Sequence, residues 1–373
     1  VLVWAAATVA LLVVAALLWR GSDAAATEST TAAPADVPSG TPAGAVSEAW
    51  LTDGQPLPEA VVQSGRVLVG STRGVRALDP LTGEEAWHYT RSNARMCGLT
   101  ATDGLAVAVF ATEDRCDEAV ALNAGTGVRA WTRSVRFRSD ATLDSTDRIV
   151  LAISPTGLVT LDPTGDNIRW RYHAPGGCRL LGADVGTAGV TVLQSCAAAT
   201  DLGLSLLDGF DGKARWSREV PAADGADVRL LGADGMATVV VGDEVQGFAA
   251  ADGALLARLP VADGTEGIEQ VGTASAVLIR MGGTLFALDP ASGTARWEIP
   301  AIGLPAPPAP EGKDARSRAA LLVPEEGGFA HRDPMTGAEL DRSGVTGLPA
   351  GGVASAVGPV VVYRLADRVL GYR

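Results

Sequence analysis

Two patterns of apolar residues divide the chain. Residues 1–19, VLVWAAATVALLVVAALLW, form an unbroken apolar run without charge, Pro or Gly. As a helix this run would extend about 28 Å at about 1.5 Å per residue, close to a bilayer's hydrocarbon thickness. Trp4 and Trp19 stand near its ends, where interfacial aromatics are found. It predicts a transmembrane helix or uncleaved signal anchor over residues 1–20. The alternative is a cleaved signal peptide, for which Ala24 and Ala26 supply an A-x-A pattern. From residue 46 onward the apolar residues come in short runs, such as EAVVQ and RVLVG ahead of residue 78 or EQVG and AVLIR ahead of residue 288. Turn residues separate these runs, which is the pattern of short strands.

Between the two patterns lie residues 21–45, rich in Ala, Thr, Ser and Pro and almost devoid of large apolar side chains. Such a segment buries too little surface to offset its chain entropy. The expectation is a disordered linker, reaching about 25–30 Å as a random coil.

The turns repeat. LDPLTGEEAW at 78–87 returns as LNAGTGVRAW at 122–131, LDPTGDNIRW at 161–170, LDGFDGKARW at 207–216, FAAADGALLA at 248–257, LDPASGTARW at 288–297 and RDPMTGAELD at 332–341. In the first copy Asp79 can accept from the backbone two residues on, Pro80 presets φ, and Gly83 supplies the positive φ that returns the chain as a hairpin. With two strand-like runs upstream, each copy predicts four strands. A repeat of about 42 residues of this kind predicts a β-propeller with one blade per repeat.

The last residues, DRVLGYR, match a blade's third strand, and SEAW at 47–50 matches EEAW at 84–87. Residues 46–51 are therefore expected to supply the outer strand of the last blade. This closes an all-β, eight-bladed propeller over residues 46–373 and leaves no open end to cap. The tryptophans agree. Two lie in the N-terminal run, and Trp50, Trp87, Trp131, Trp170, Trp216 and Trp297 all fall at one motif position. A large indole there is expected to pack between neighbouring blades. Ala257 and Asp341 hold that position in the fifth and seventh copies.

These copies resemble the pyrroloquinoline quinone (PQQ) repeat family, whose pattern of apolar-Asp-x-x-Thr-Gly-x-x-x-Trp they repeat over about residues 46–373. The resemblance implies the propeller fold. It is shared by quinoprotein dehydrogenases that use PQQ and calcium, and by cofactor-free propellers such as an outer-membrane assembly lipoprotein and the extracellular domains of receptor kinases. The dehydrogenases carry adjacent cysteines and a channel-facing Trp. Here no two cysteines are adjacent and every propeller Trp has an interface assignment. No cofactor, catalytic residue or metal ligand is carried over, and the cofactor-free branch is the one resembled.

Cys97, Cys116, Cys178 and Cys196 allow three pairings. Their parallel placement in the second and fourth blades favours Cys97 with Cys116 and Cys178 with Cys196, in an oxidising, extracytoplasmic compartment. Four buried free thiols are the alternative. The net charge of −13 argues against nucleic acid as a partner. His88, His173 and His331 fall on different blades, with no nucleophile or carboxylate tied to them by spacing. DRCDEA at 114–119 lacks the alternating spacing of a calcium loop. The Pro-rich insertion GLPAPPAPEGKDARSR at 303–318 is a candidate partner loop. The expected function is a non-catalytic scaffold or sensor of the bacterial cell envelope, anchored in the cell membrane and binding a protein or envelope polymer. A quinoprotein-type oxidoreductase is the alternative.

Overall fold

The repeated motif folds as its turn chemistry requires. Asp79 Oδ1 accepts from the backbone N–H of Leu81 at 2.8 Å and of Thr82 at 3.3 Å, and the Gly83 N–H donates to the Asp79 carbonyl at 2.8 Å. Gly83 has φ +71°, a conformation costly to any side chain. The arrangement recurs at Asp289 and Asp333. In each case the turn joins two antiparallel strands, as Gly74–Leu78 and Glu85–Arg91 are joined in the first copy.

The computed structural model describes residues 2–373, except 21, 35, 57–60, 113, 165–166, 198, 224, 262–266, 274 and 308–319. Eight sheets, antiparallel except for one short parallel pair in the last, succeed one another along the chain and form an eight-bladed β-propeller. Blade 1 contains Arg66–Ser71, Gly74–Leu78 and Glu85–Arg91. Blades 2 to 6 have four strands each, within residues 95–137, 142–173, 178–220, 228–260 and 269–300. Blade 8 is built from Val353–Val357, Val360–Arg364 and Arg368–Tyr372. Glu48–Asp53 is its outer strand, with Trp50 opposite Gly371 and Asp53 opposite Arg368.

Blade 7 departs from the four-strand expectation. Among the described residues it has three strands: Leu321–Glu325, Gly328–Arg332 and Glu339–Gly344. The preceding pair Leu304–Pro305 runs parallel to the innermost strand of blade 8 instead. Most of the Pro-rich insertion, residues 308–319, lies outside the described residues.

The tryptophans reach from one blade into the turn of the next. Trp87 Nε1 donates to the Ala124 carbonyl, Trp170 to Gly209, Trp216 to Ala250 and Trp297 to Pro334, at 3.0–3.2 Å. Trp131 does the same to Pro163 at 2.8 Å and Trp50 to Pro80 at 2.9 Å. Each of Trp50, Trp87, Trp170, Trp216 and Trp297 lies on the turn glycine of its acceptor. A Cβ on Gly83 would sit 2.6 Å from Trp50 Cγ. The glycine thus serves its own hairpin and the indole of the preceding blade together. Asp341 is explained by the same geometry. The outer strand of blade 8 comes from Glu48–Asp53, so that blade has no turn between its third and fourth strands for blade 7 to dock into. Blade 5 puts Leu256 against Gly293 in place of an indole.

Part of the segment expected to be a free tether lies on the propeller. Thr27–Ser29 adds antiparallel to the outer strand of blade 1, with Thr27 opposite Arg91 and Ser29 opposite Tyr89. Ala32 N–H then donates to the Thr126 carbonyl in blade 2, and Val46 N–H to the Gly344 carbonyl in blade 7. Arg91, 1% exposed, clamps the start of this strap through Asp23 at 2.6 Å and is also held by Glu118 at 2.9 Å. Asp23→Asn removes the charge from the clamp and is expected to speed amide exchange at residues 27–30. The core amides of blade 1 should be unaffected, because only a local opening is eased.

The N-terminal helix, Leu2–Arg20, is formed. Among the described residues no helix is long and apolar enough to cross a membrane, so the transmembrane expectation for residues 1–20 is not supported there. The side chains of Leu2–Arg20 are described from residue 10 onward. Those that are described, Leu11 to Trp19, stand exposed to solvent.

Candidate functional site

Polar side chains near the propeller axis are committed to structure. In blade 3 Asp144 Oδ2 accepts from the N–H of Val185 in blade 4. In blade 4 Asp184 Oδ2 accepts from the N–H of Ala233 in blade 5 at 2.6 Å, and Asp234 Oδ1 accepts from the N–H of Thr187 at 2.9 Å. Thr100 and Ser145 hydroxyls meet at 2.6 Å between blades 2 and 3, and Thr238 bonds Gln270 between blades 5 and 6. This belt fixes neighbouring blades in register. Burial raises the Asp234 pKa, the Thr187 and Gly272 N–H groups oppose that, and Asp144 adds to it. Among the described residues no three of His, Cys, Asp or Glu are grouped to hold a metal ion.

The turn aspartates also have structural partners. The second carboxylate oxygen of Asp162 takes Arg169 at 2.7 Å, that of Asp208 takes Arg215 at 2.8 Å, and that of Asp289 takes Arg296. In these blades the arginine immediately precedes the docking Trp. The Arg296 side chain first, then the Ala291 and Ser292 N–H groups, lower the Asp289 pKa from 3.8 to about 2. A depressed carboxylate stabilises the fold above its unfolded pKa and ceases to do so as pH falls through its folded value. Asp289→Asn is therefore expected to flatten the fall in melting temperature between about pH 4 and pH 2, read from an acid titration against the parent.

The remaining predicted residues are dispersed. Cys97 is bonded to Cys116 and Cys178 to Cys196, tying strands within blades 2 and 4. His88 Nδ1 lies 2.6 Å from Glu85 and its ring faces the strap, with Thr30 Oγ1 at 3.3 Å. His173 ends the exposed outer strand of blade 3. His331 stands opposite Asp341, and burial lowers its pKa while Asp341 opposes the shift. In DRCDEA, Asp117 accepts from the Thr112 hydroxyl, Glu118 binds Arg91 and Cys116 is in its disulfide. These residues do not converge on a catalytic centre. Nor do they fit a quinone: the dehydrogenase-type ring needs adjacent bonded cysteines, whereas here the bonded pairs are 19 and 18 residues apart. The six propeller indoles all donate to neighbouring turns.

Among the described residues two surface features are candidates for binding. One is a groove of about 580 Å³ between blades 4 and 5, where Val220, Phe248 and Leu255 lie among the charges of Arg218, Glu219 and Arg258. Its charges are mixed. The other is the outer rim of blades 2 and 3, which summing the charge of the whole chain conceals. Between residues 129 and 179 eight arginines outnumber five aspartates, in a chain of net charge −13. The outer strands Arg129–Phe137 and Ile168–His173 contain no acidic residue.

A family model described as outer membrane protein assembly factor BamB matches residues 16–178 and 157–306. No curated protein matches by sequence. Among solved structures the chain resembles BamB from Moraxella catarrhalis, with 16% identity and TM-score 0.51, covering 88% of this chain and 99% of that one. It also resembles the computationally designed Ika8 protein, with 14% identity and TM-score 0.53, covering 86% and 99%. A quinohemoprotein alcohol dehydrogenase from Comamonas testosteroni is similar at 11% identity and TM-score 0.50, covering 88% and 76%. At these identities the likenesses establish the fold alone.

Proposed function

The chain belongs to the family of the outer membrane protein assembly factor BamB, and from that premise we propose that it is a non-catalytic, protein-binding propeller of the bacterial cell envelope. One observation carries this reading. The inner carboxylates of Asp144 and Asp184 and the outer-strand indoles are bonded to neighbouring blades, while the outer rim keeps open strand edges and unpaired charge. Such a molecule presents surfaces and holds them in fixed relation, which is scaffold work. A sensor role fits the same surfaces. The two disulfides support a location outside the cytoplasm. The apolar helix Leu2–Arg20, exposed over Leu11 to Trp19, is the element proposed to attach the propeller to the membrane, and it ends three residues before the clamped Asp23.

The reading is tested by cross-linking the tagged full chain in intact cells and comparing captured proteins with those captured by residues 1–20 fused to an unrelated domain. A protein enriched reproducibly by the full chain alone is the expected result. Equal capture by both, across several cross-linker lengths, contradicts it.

A further inference from the structure

We propose that the outer edge of blade 2 is a strand-addition site for an extended, acidic segment of a partner protein, a proposal that rests on the protein-binding reading above. Three observations on blades 1 to 3 lead there.

The first is an open edge. Among the described residues Arg129–Phe137 has a hydrogen-bonded neighbour on one side only, Cys116–Asn123. Alternate N–H and C=O groups on its other side face outward, a ready template for an added strand.

The second is unpaired positive charge. Arg129, Arg136 and Arg171 are exposed, and among the described residues none has a carboxylate within ion-pair distance. They stand on the two sides of the blade 2 edge: Arg129 is opposite Leu122, which packs with blade 1, and Arg171 is on the outer strand of blade 3. Trp170 reaches forward to Gly209 in blade 4, and side chains alternate along a strand, so Arg171 leaves the opposite face, toward blade 2. Arg136 sits at an irregularity in the pairing with Cys116–Asn123 and has φ +54°. A non-glycine residue held in that region is strained, and its side chain is exposed between buried Val135 and Phe137. No structural partner of the Arg136 side chain accounts for the strain among the described residues.

The third is a precedent in the same molecule. The corresponding edge of blade 1 is occupied by the chain's own Thr27–Ser29, added antiparallel, with Glu28 in the strand and Asp23 clamped on Arg91. An outer edge bearing arginine thus accepts an extended segment bearing carboxylates. Blade 2 offers the same backbone geometry over a nine-residue strand with more arginine and no occupant among the described residues. The charge selects an acidic strand and speeds its arrival, while the backbone bonds set its register.

The test uses the full chain in non-ionic detergent and a fluorescent decapeptide of alternating Thr and Glu, followed by anisotropy at low and high salt. Saturable binding that weakens with salt is expected. Reversing Arg129, Arg136 and Arg171 to Glu should raise the dissociation constant by at least about tenfold, and the melting temperature of the variant reports that it is folded. A decapeptide N-methylated at alternate residues keeps its charge but cannot complete the backbone ladder, and it should bind poorly. Equal binding of the methylated peptide overturns strand addition in favour of simple charge attraction. Equal binding by the reversed variant overturns the location. Binding to phosphatidylglycerol vesicles without binding to the peptide assigns the patch to lipid and overturns the proposal. A cellular partner that cross-links only to other blades contradicts this surface and leaves the protein-binding reading intact.

Discussion

Trp87→Ala is expected to destabilise the propeller by about 3–5 kcal/mol, the range for removing a fully buried large aromatic, read as a shift in the urea midpoint at unchanged slope. Trp87 has no exposed surface and is bonded to Ala124 of the next blade. Its loss opens a cavity and leaves a buried carbonyl without its donor. Trp50→Ala should fall in the same range, with a further signature. Trp50 lies on the one outer strand that joins the two ends of the fold, so its loss should also quicken exchange at Leu370 and Gly371, its neighbours across the sheet. Trp50→Phe keeps most of the packing and removes the bond to Pro80, and should cost about 1 kcal/mol beyond the smaller ring. Trp131, partly exposed, should be the mildest of the three alanine substitutions.

Removing both disulfides by Cys→Ala is expected to lower stability by about 6 kcal/mol, on the order of 3 kcal/mol for each loop in the chain-entropy account. The loops are similar in length, with bonded residues 19 and 18 apart, and they lie in different blades. Sites this separate should contribute nearly additively. Reduction of the parent with dithiothreitol should reproduce the double variant's melting temperature. A double variant that loses no more than either single one would mean that the two blades unfold as separate units.

The motif made much of this architecture legible, for a physical reason. A hairpin that needs Asp, a positive φ at Gly and an indole four residues later writes its requirements into consecutive letters, so LDPLTGEEAW could be followed around the ring and Trp50 placed without its own turn. The reach of each indole to the next blade's glycine was not legible, because it couples residues such as Trp87 and Gly127 through a contact that local spacing does not encode. The same holds for the belt of Asp144, Asp184 and Asp234, whose acceptor roles exist only once three blades stand side by side.

The segment at 21–45 shows a different limit. Its composition correctly says that it buries little. What holds Thr27–Ser29 is instead a backbone ladder and the Asp23–Arg91 pair, and composition is silent on both. The basic rim was hidden by arithmetic: a total of −13 conceals two adjacent outer strands without an acid. At the N-terminus apolar character was legible and a membrane span was inferred from it, but span and apolar helix are separate properties, and the described helix supports the second.

The claim that matters most is that the propeller works through its rim and carries no quinone chemistry at its axis. A thermal-shift titration of the full chain with PQQ plus calcium, against calcium alone, tests it directly, because a ligand that binds only the folded state must raise the melting temperature as its concentration passes its dissociation constant. No shift at any PQQ concentration is the predicted result. A saturable rise with PQQ and calcium, absent with calcium alone, would contradict it.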